Sequence, residues 1–291
     1  MKIYSGSNNI LIRIIVFTLG TFFLLIAGTR ADDWPMLGHD PGRSGSNPNE
    51  IRPPFTRKWY RLFPDEGIQS GVQPVIANGK VYLGTLAGVM HAIDATTGKD
   101  LWTYKSSGPI LHAAAACSNR VFFGSADGTV HALDTSNGNL TWKTIAGGSL
   151  WNAPVLYKNR VLIGGRNGYL YALDSDSGSI IWQSNLEAPI LNSPAVDARK
   201  SRVYIGSEAM CVHALDIQTG KQLWKSEQLP GASFRGYHPV IAPDGSVMIT
   251  SQPVMGYDRF QSLLMEMAKS VFGDIASWRH KIGRASCRER V

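Results

Sequence analysis

HALDTSNGNLTW, His131 to Trp142, decides the fold, because close copies of it stand at three other places in the chain. They read HAIDATTGKDLW (His91 to Trp102), YALDSDSGSIIW (Tyr171 to Trp182) and HALDIQTGKQLW (His213 to Trp224). The tryptophans Trp102, Trp142, Trp182 and Trp224 are spaced by 40, 40 and 42 residues, and the glycines Gly98, Gly138, Gly178 and Gly220 keep the same steps. A fixed period of this length marks a repeat architecture.

Each copy follows an alternating apolar run: VYLGTLAGVM, VFFGSADGTV, VLIGGRNGYL or VYIGSEAMCV. These read as strand. Asp127-Gly128 and Asn167-Gly168 suggest two-residue hairpins between strands. A short run such as PVIANGKV lies upstream, so one repeat holds four short strands, A to D. The quoted stretch is the C-to-D turn. Asp94, Asp134, Asp174 and Asp216 are expected to accept amides of that turn, and the four glycines to end it in the left-handed conformation. A buried tryptophan removes roughly 150–250 Å² from water, on the order of 4–6 kcal/mol as an upper bound. One four-stranded sheet cannot cover that surface, so the sheets must stack. All-β repeats of this length stacked radially form a β-propeller.

The motif A-[IL]-D-x-x-[TSN]-G-x-x-x-W resembles the tryptophan-docking motif of pyrroloquinoline-quinone-type propeller repeats. That family includes quinoprotein dehydrogenases and the propeller lipoprotein of the outer-membrane β-barrel assembly complex. The match spans about Trp59 to Ser251. The resemblance implies that each Trp packs on motif glycines and on Ala92, Ala132, Ala172 and Ala214. Copy two departs from the pattern, with Asn137 where Thr or Ser is usual.

The expectation is therefore an all-β propeller of four-stranded antiparallel blades, truncated to four full blades plus the start of a fifth at HPVIAPDGSVMIT (His238 to Thr250). Trp59 lies as far before Pro74 as Trp224 before Pro239, so FTRKWYRL reads as a lone strand D that completes a blade of its own ring. Two to four further blades are expected. Residues 1–31 read as a signal peptide, with Lys2 and Arg13 ahead of an apolar run and Thr29 and Ala31 at the cleavage site; the alternative is a retained anchor. Residues 32–55 read as a lead-in over one face, without chemistry, and 56–250 as propeller. Residues 251–280 read as a helical insertion in blade five, with Phe260, Leu263, Leu264, Met267 and Val271 at helical spacing. Residues 281–291 resemble the translation of a sequencing adapter; the alternative is a native basic tail.

The formal charge of +7 is concentrated at the two ends. The signal segment and the tail carry about +3 each, leaving the body near neutral, so no nucleic-acid partner is expected. Cys117 and Cys211 read as buried thiols. His91, His131 and His213 lie in separate blades and read as structural.

B–C turns and D–A connections share one rim, where two longer connections also lie. Two residues before strand A stand Val72, His112, Asn152, Asn192 and Tyr237, with Trp151 and Arg235 beside them, a candidate binding ring. The alternative is a solvated funnel. The residues themselves call for no catalytic group, metal or cofactor. The resemblance implies pyrroloquinoline quinone and calcium, held by an adjacent cysteine pair, a tryptophan, an Asp base, and Glu and Asn ligands. No adjacent cysteine pair occurs here. Two functions stay open: an exported, non-catalytic envelope scaffold whose one face binds a protein or small ligand, or a quinone-dependent dehydrogenase fragment lacking its catalytic residues. A sensor or adaptor propeller fused to another domain is a third. The membrane is expected to matter only through the signal segment.

Overall fold

Each repeat forms one antiparallel sheet. The computed structural model describes residues 33–47, 54 and 56–252. Blade 1 holds β1 (Val75–Ala77), β2 (Lys80–Gly84), β3 (Val89–Asp94) and β4 (Asp100–Lys105), hydrogen-bonded in that order. Blade 2 repeats it with β5 (Ala115–Ala116), β6 (Arg120–Gly124), β7 (Thr129–Asp134) and β8 (Leu140–Ile145). Blade 3 holds β9 (Val155–Tyr157), β10 (Arg160–Gly164), β11 (Tyr169–Asp174) and β12 (Ile180–Asn185). Blade 4 holds β13 (Ala195–Asp197), β14 (Arg202–Ser207), β15 (Cys211–Asp216) and β16 (Gln222–Lys225). A fifth begins with β17 (Val240–Ile241) and β18 (Val247–Met248). The first strands of successive blades touch one another, β1 to β5, β5 to β9, β9 to β13 and β13 to β17. Strand A is therefore innermost, and the blades fan about a common axis. This is a β-propeller.

The repeated motif makes the joints between blades. Trp102, Trp142 and Trp182 are each 8% exposed. Each pairs in register with its own motif alanine, Ala92, Ala132 or Ala172, and a β-bulge follows that alanine. Each indole Nε1 then donates to a carbonyl of the next blade's C–D turn: Trp102 to Thr135 at 3.1 Å, Trp142 to Ser175 at 3.0 Å, Trp182 to Ile217 at 3.1 Å. The next blade's glycine lies under the ring. A Cβ on Gly178 would stand 2.5 Å from the Trp142 indole, and its φ of +74° already favours glycine. Trp59 docks on blade 1 in the same way, donating to the Ala95 carbonyl at 3.0 Å and packing over Gly98. It behaves as the strand D of a neighbouring blade. Trp224 ends the described series at 40% exposure.

Two readings change. The hairpins at Asp127-Gly128 and Asn167-Gly168 are not two-residue turns with that dipeptide at the centre. Gly128 N donates to the Ser125 carbonyl and Gly168 N to the Gly165 carbonyl, so Ala126-Asp127 and Arg166-Asn167 are central. Only the glycines take positive φ, +86° and +85°. This is a turn followed by a left-handed glycine bulge, which lets Asp127 and Asn167 accept the Thr129 and Tyr169 amides. The second concerns the lead-in. It does not lie over a face; it threads past the inner strands. Trp34 exchanges amide bonds with Ile76, and the Pro35, Pro41 and Gly42 carbonyls accept the amides of Ala116, Val196 and Ile241 at 2.7, 2.7 and 2.9 Å. Inner strands would otherwise leave these donors unpaired around the axis.

The expected helical insertion over 251–280 lies outside the described residues apart from Ser251 and Gln252. Among the described residues there is no helix, and none long and apolar enough to cross a membrane.

Candidate functional site

The rim of B–C turns and D–A connections carries an open pocket of about 310 Å³, lined among others by Gln69, His112, Trp151, Leu191, Arg235 and Gln252. Its centre is Trp151, in the connection entering blade 3. The indole Nε1 donates to Ser149 Oγ at 2.8 Å, which sets the ring's tilt. Two guanidinium groups lie over the ring: Arg235, from the connection entering blade 5, at 4.7 Å, and Arg166, from the B–C turn of blade 3, at 5.0 Å. Exposed cation–π pairs of this kind contribute about 0.5–1 kcal/mol each. Arg166 was not legible as a site residue, although its place in the B–C turn GGRNGY puts it on the rim predicted to matter.

A second cationic centre is Arg43, on the lead-in, with 2% of its surface exposed. Its guanidinium donates to the carbonyls of Leu37, Pro194 (3.0 Å), Pro154 (3.3 Å) and Ala153 (3.4 Å). Four carbonyls from the strap and from blades 3 and 4 thus converge on one side chain. Burial pushes Arg43 down to about 9, with Asp40 opposing. Burial, helped by the positive charge of Arg43 and by His238, pushes His112 down to about 4, and burial and Arg43 do the same to His238. Near neutral pH both imidazoles are uncharged, and the positive charge sits on the guanidinium groups.

The candidate ring resolves unevenly. His112, Trp151 and Arg235 meet at the pocket. Asn152 is 2% exposed and faces its own blade: its Nδ2 donates to the Gly164 carbonyl at 2.9 Å and its Oδ1 accepts the Gly164 amide at 3.2 Å. It extends strand B pairing and has no amide left for a ligand. Asn192 is 1% exposed at the matching place beside Gly206, with neither amide atom hydrogen-bonded. Tyr237 is 38% exposed on the rim.

The motif carboxylates are taken up by their turns. Asp94 Oδ1 accepts Thr96 N, Thr97 N and Thr97 Oγ1 at 3.0, 2.7 and 2.9 Å. Asp174 and Asp216 repeat this with Ser177 and Thr219. In copy two the hydroxyl comes from Ser136, and Asn137 Oδ1 accepts the Asn139 amide at 2.8 Å, which explains the departure from the pattern. Backbone amides hold Asp94 and Asp174 below the ordinary carboxylate range, and hydroxyl bonds from Ser136 and Thr219 lead the same effect at Asp134 and Asp216. The motif histidines are occupied too: His91 lies between Glu66 and Asp100, His131 between Ser125 and Tyr104, and His213 between Ser207 and Gln222. Cys117 and Cys211 are free thiols. Among the described residues no three His, Cys, Asp or Glu side chains are grouped to hold a metal ion.

Calcium and pyrroloquinoline quinone do not fit this pocket. Calcium takes six to eight oxygen ligands, with carboxylates prominent among them, and among the described residues no carboxylate lines the pocket. Two arginines lie over the indole where a flat quinone would stack, and the chain has no adjacent cysteine pair.

The family described as outer membrane protein assembly factor BamB matches residues 42–261. Comparison with curated proteins finds no match. Among solved structures, the quinohemoprotein alcohol dehydrogenase ADHIIG of Pseudomonas putida HK5 superposes with a TM-score of 0.61 at 18% identity, covering 75% of this chain and 44% of that one. The quinohemoprotein alcohol dehydrogenase of Comamonas testosteroni gives 0.58 at 19% identity, covering 78% and 47%. A europium-containing methanol dehydrogenase gives 0.58 at 15% identity, covering 78% and 55%. This chain thus spans about half the length of these enzymes, and at such identities the likeness shows the fold alone.

Proposed function

The chain belongs to the family described as outer membrane protein assembly factor BamB, and from that premise we propose that it is an exported, non-catalytic propeller scaffold of the cell envelope that binds a protein partner through its B–C/D–A rim. The observation that carries this reading is the chemistry of the rim pocket. Its charged group is the Arg235 guanidinium, over an indole that Arg166 also approaches; among the described residues no carboxylate lines it, and every motif carboxylate is engaged in its own turn. Such a pocket can bind and orient a ligand. Its one imidazole, His112, already accepts the Ala113 amide at Nδ1, and among the described residues it offers no carboxylate base and no oxygen cage for a cation. The family description supports a protein partner, and the apolar segment after Lys2 and Arg13 supports export. The dehydrogenases share the fold, which hosts enzymes and scaffolds alike.

The test is titration of the full chain with pyrroloquinoline quinone and Ca²⁺, followed by a dye-linked alcohol oxidation assay. The scaffold reading expects neither saturable quinone binding nor turnover. Saturable binding accompanied by oxidation overturns it.

A further inference from the structure

We propose that the rim pocket is a socket for an acidic peptide segment of a protein partner, with a carboxylate held by Arg235 and Arg166 and its aliphatic stem laid against the apolar walls Leu111 and Leu191. The proposal rests on the scaffold reading and names the chemistry that face would recognise. Three features support it. First, both guanidinium groups lie over the indole, their central carbons 5.0 and 4.7 Å from the ring centroid. A guanidinium carries five N–H donors, so one held over an aromatic ring still has donors to offer a carboxylate. Among the described residues neither side chain forms an ion pair or donates a hydrogen bond, whereas Arg61, Arg120 and Arg199 all have acidic partners. Two unpaired guanidinium groups held at one ring are available to a carboxylate.

Second, the surroundings reinforce the sign. Among the described residues no acidic side chain lines the pocket, and Arg43 lies buried nearby, close enough to depress His112 and His238. The carboxylate of Glu208, on the same rim, is engaged by the Phe234 amide at 3.1 Å. Third, the shape suits a side chain presented on a peptide. The pocket is open at the rim, its volume of about 310 Å³ is at the small end for ligand sites, and Leu111 and Leu191 give it apolar walls. Exposed Tyr237, two residues beyond Arg235, extends the surface along which a main chain would run.

The experiment uses fluorescence anisotropy on the full chain. The probes are a fluorescein-labelled octapeptide of alternating Glu and Ala and its Gln/Ala counterpart, each with wild type and with Arg166→Gln, Arg235→Gln and the double variant. Both arginines are exposed on the rim, and an unchanged melting curve verifies that each variant is folded. The expected result is that the Glu peptide binds, the Gln peptide binds at least about tenfold more weakly, and the double variant loses about tenfold for the Glu peptide only, a change of about 1.4 kcal/mol. Added salt should weaken the Glu peptide. Absence of Glu-peptide binding, equal binding of both peptides, or full affinity in the double variant overturns the proposal. Displacement of the peptide by free glutarate at matched concentration also overturns it, by making the site one for small anions. The quinone titration reads separately, so failure here leaves the scaffold reading standing and failure there is recognisable on its own.

Discussion

The motif histidines show how one residue type is held differently at equivalent places. His91 has a carboxylate at each ring nitrogen, Glu66 at 3.0 Å and Asp100 at 3.1 Å. His131 instead meets two hydroxyl groups, Ser125 and Tyr104, both at 3.3 Å, and stacks on Phe123 with centroids 4.9 Å apart. Burial pushes His131 down to about 4, against partial relief from Asp127 and with Lys143 acting in the same direction as burial. The ordinary value is near 6.5, so between pH 6.5 and 4 the unfolded chain binds the extra proton. The stability contributed by neutral His131 is complete above about pH 6.5 and is lost as pH falls from there through 4. The slope is at most about 1.4 kcal/mol per pH unit. Urea unfolding of His131→Gln between pH 5 and 7 should show a shallower pH dependence than wild type, with the remaining slope due to His112 and His238, which shift in the same direction. An unaltered slope would mean that folding leaves the proton affinity of His131 unchanged.

At the scale of elements, the blades were legible because strand period, left-handed glycines and repeated tryptophans all point to one answer. Trp59 could be placed as a strand D from its distance to Pro74 alone. The strap over residues 33–45 was not legible. It has no period, its bonds are main-chain bonds that any residue can make, and Arg43 gives no sign in the sequence that four carbonyls will surround it. The binding ring was legible only in part. Equal offsets from strand A put Asn152 and His112 at matched positions, but Asn152 turns toward Gly164 of its own blade, so matched spacing did not produce convergence. Loss of the Arg43 guanidinium should free the strap. Arg43→Met should cost about 2–4 kcal/mol, through carbonyls left buried and unpaired. In amide hydrogen exchange, Ile76, Ala116, Val196 and Ile241 should exchange faster together, since each donates to a strap carbonyl. Continued protection of all four in that variant would show that the strap is held by its backbone bonds alone.

For the whole molecule, stability and binding geometry follow from one device used repeatedly. A sheet of four short strands has a tryptophan on its outer strand that it cannot cover, and the neighbouring blade's turn glycine leaves room for it. Radial stacking results, the D–A connections and B–C turns come together at one end, and Trp151, Arg166 and Arg235 meet there although they come from different connections. The device is tested most directly by ¹⁹F NMR of 5-fluorotryptophan-labelled protein with a soluble gadolinium chelate, resonances being assigned by Trp→Phe substitution. The three indoles at 8% exposure, Trp102, Trp142 and Trp182, should keep sharp lines at chelate concentrations that broaden free 5-fluorotryptophan. Broadening of those three to the extent seen for the free amino acid would contradict the docking of each blade on the next.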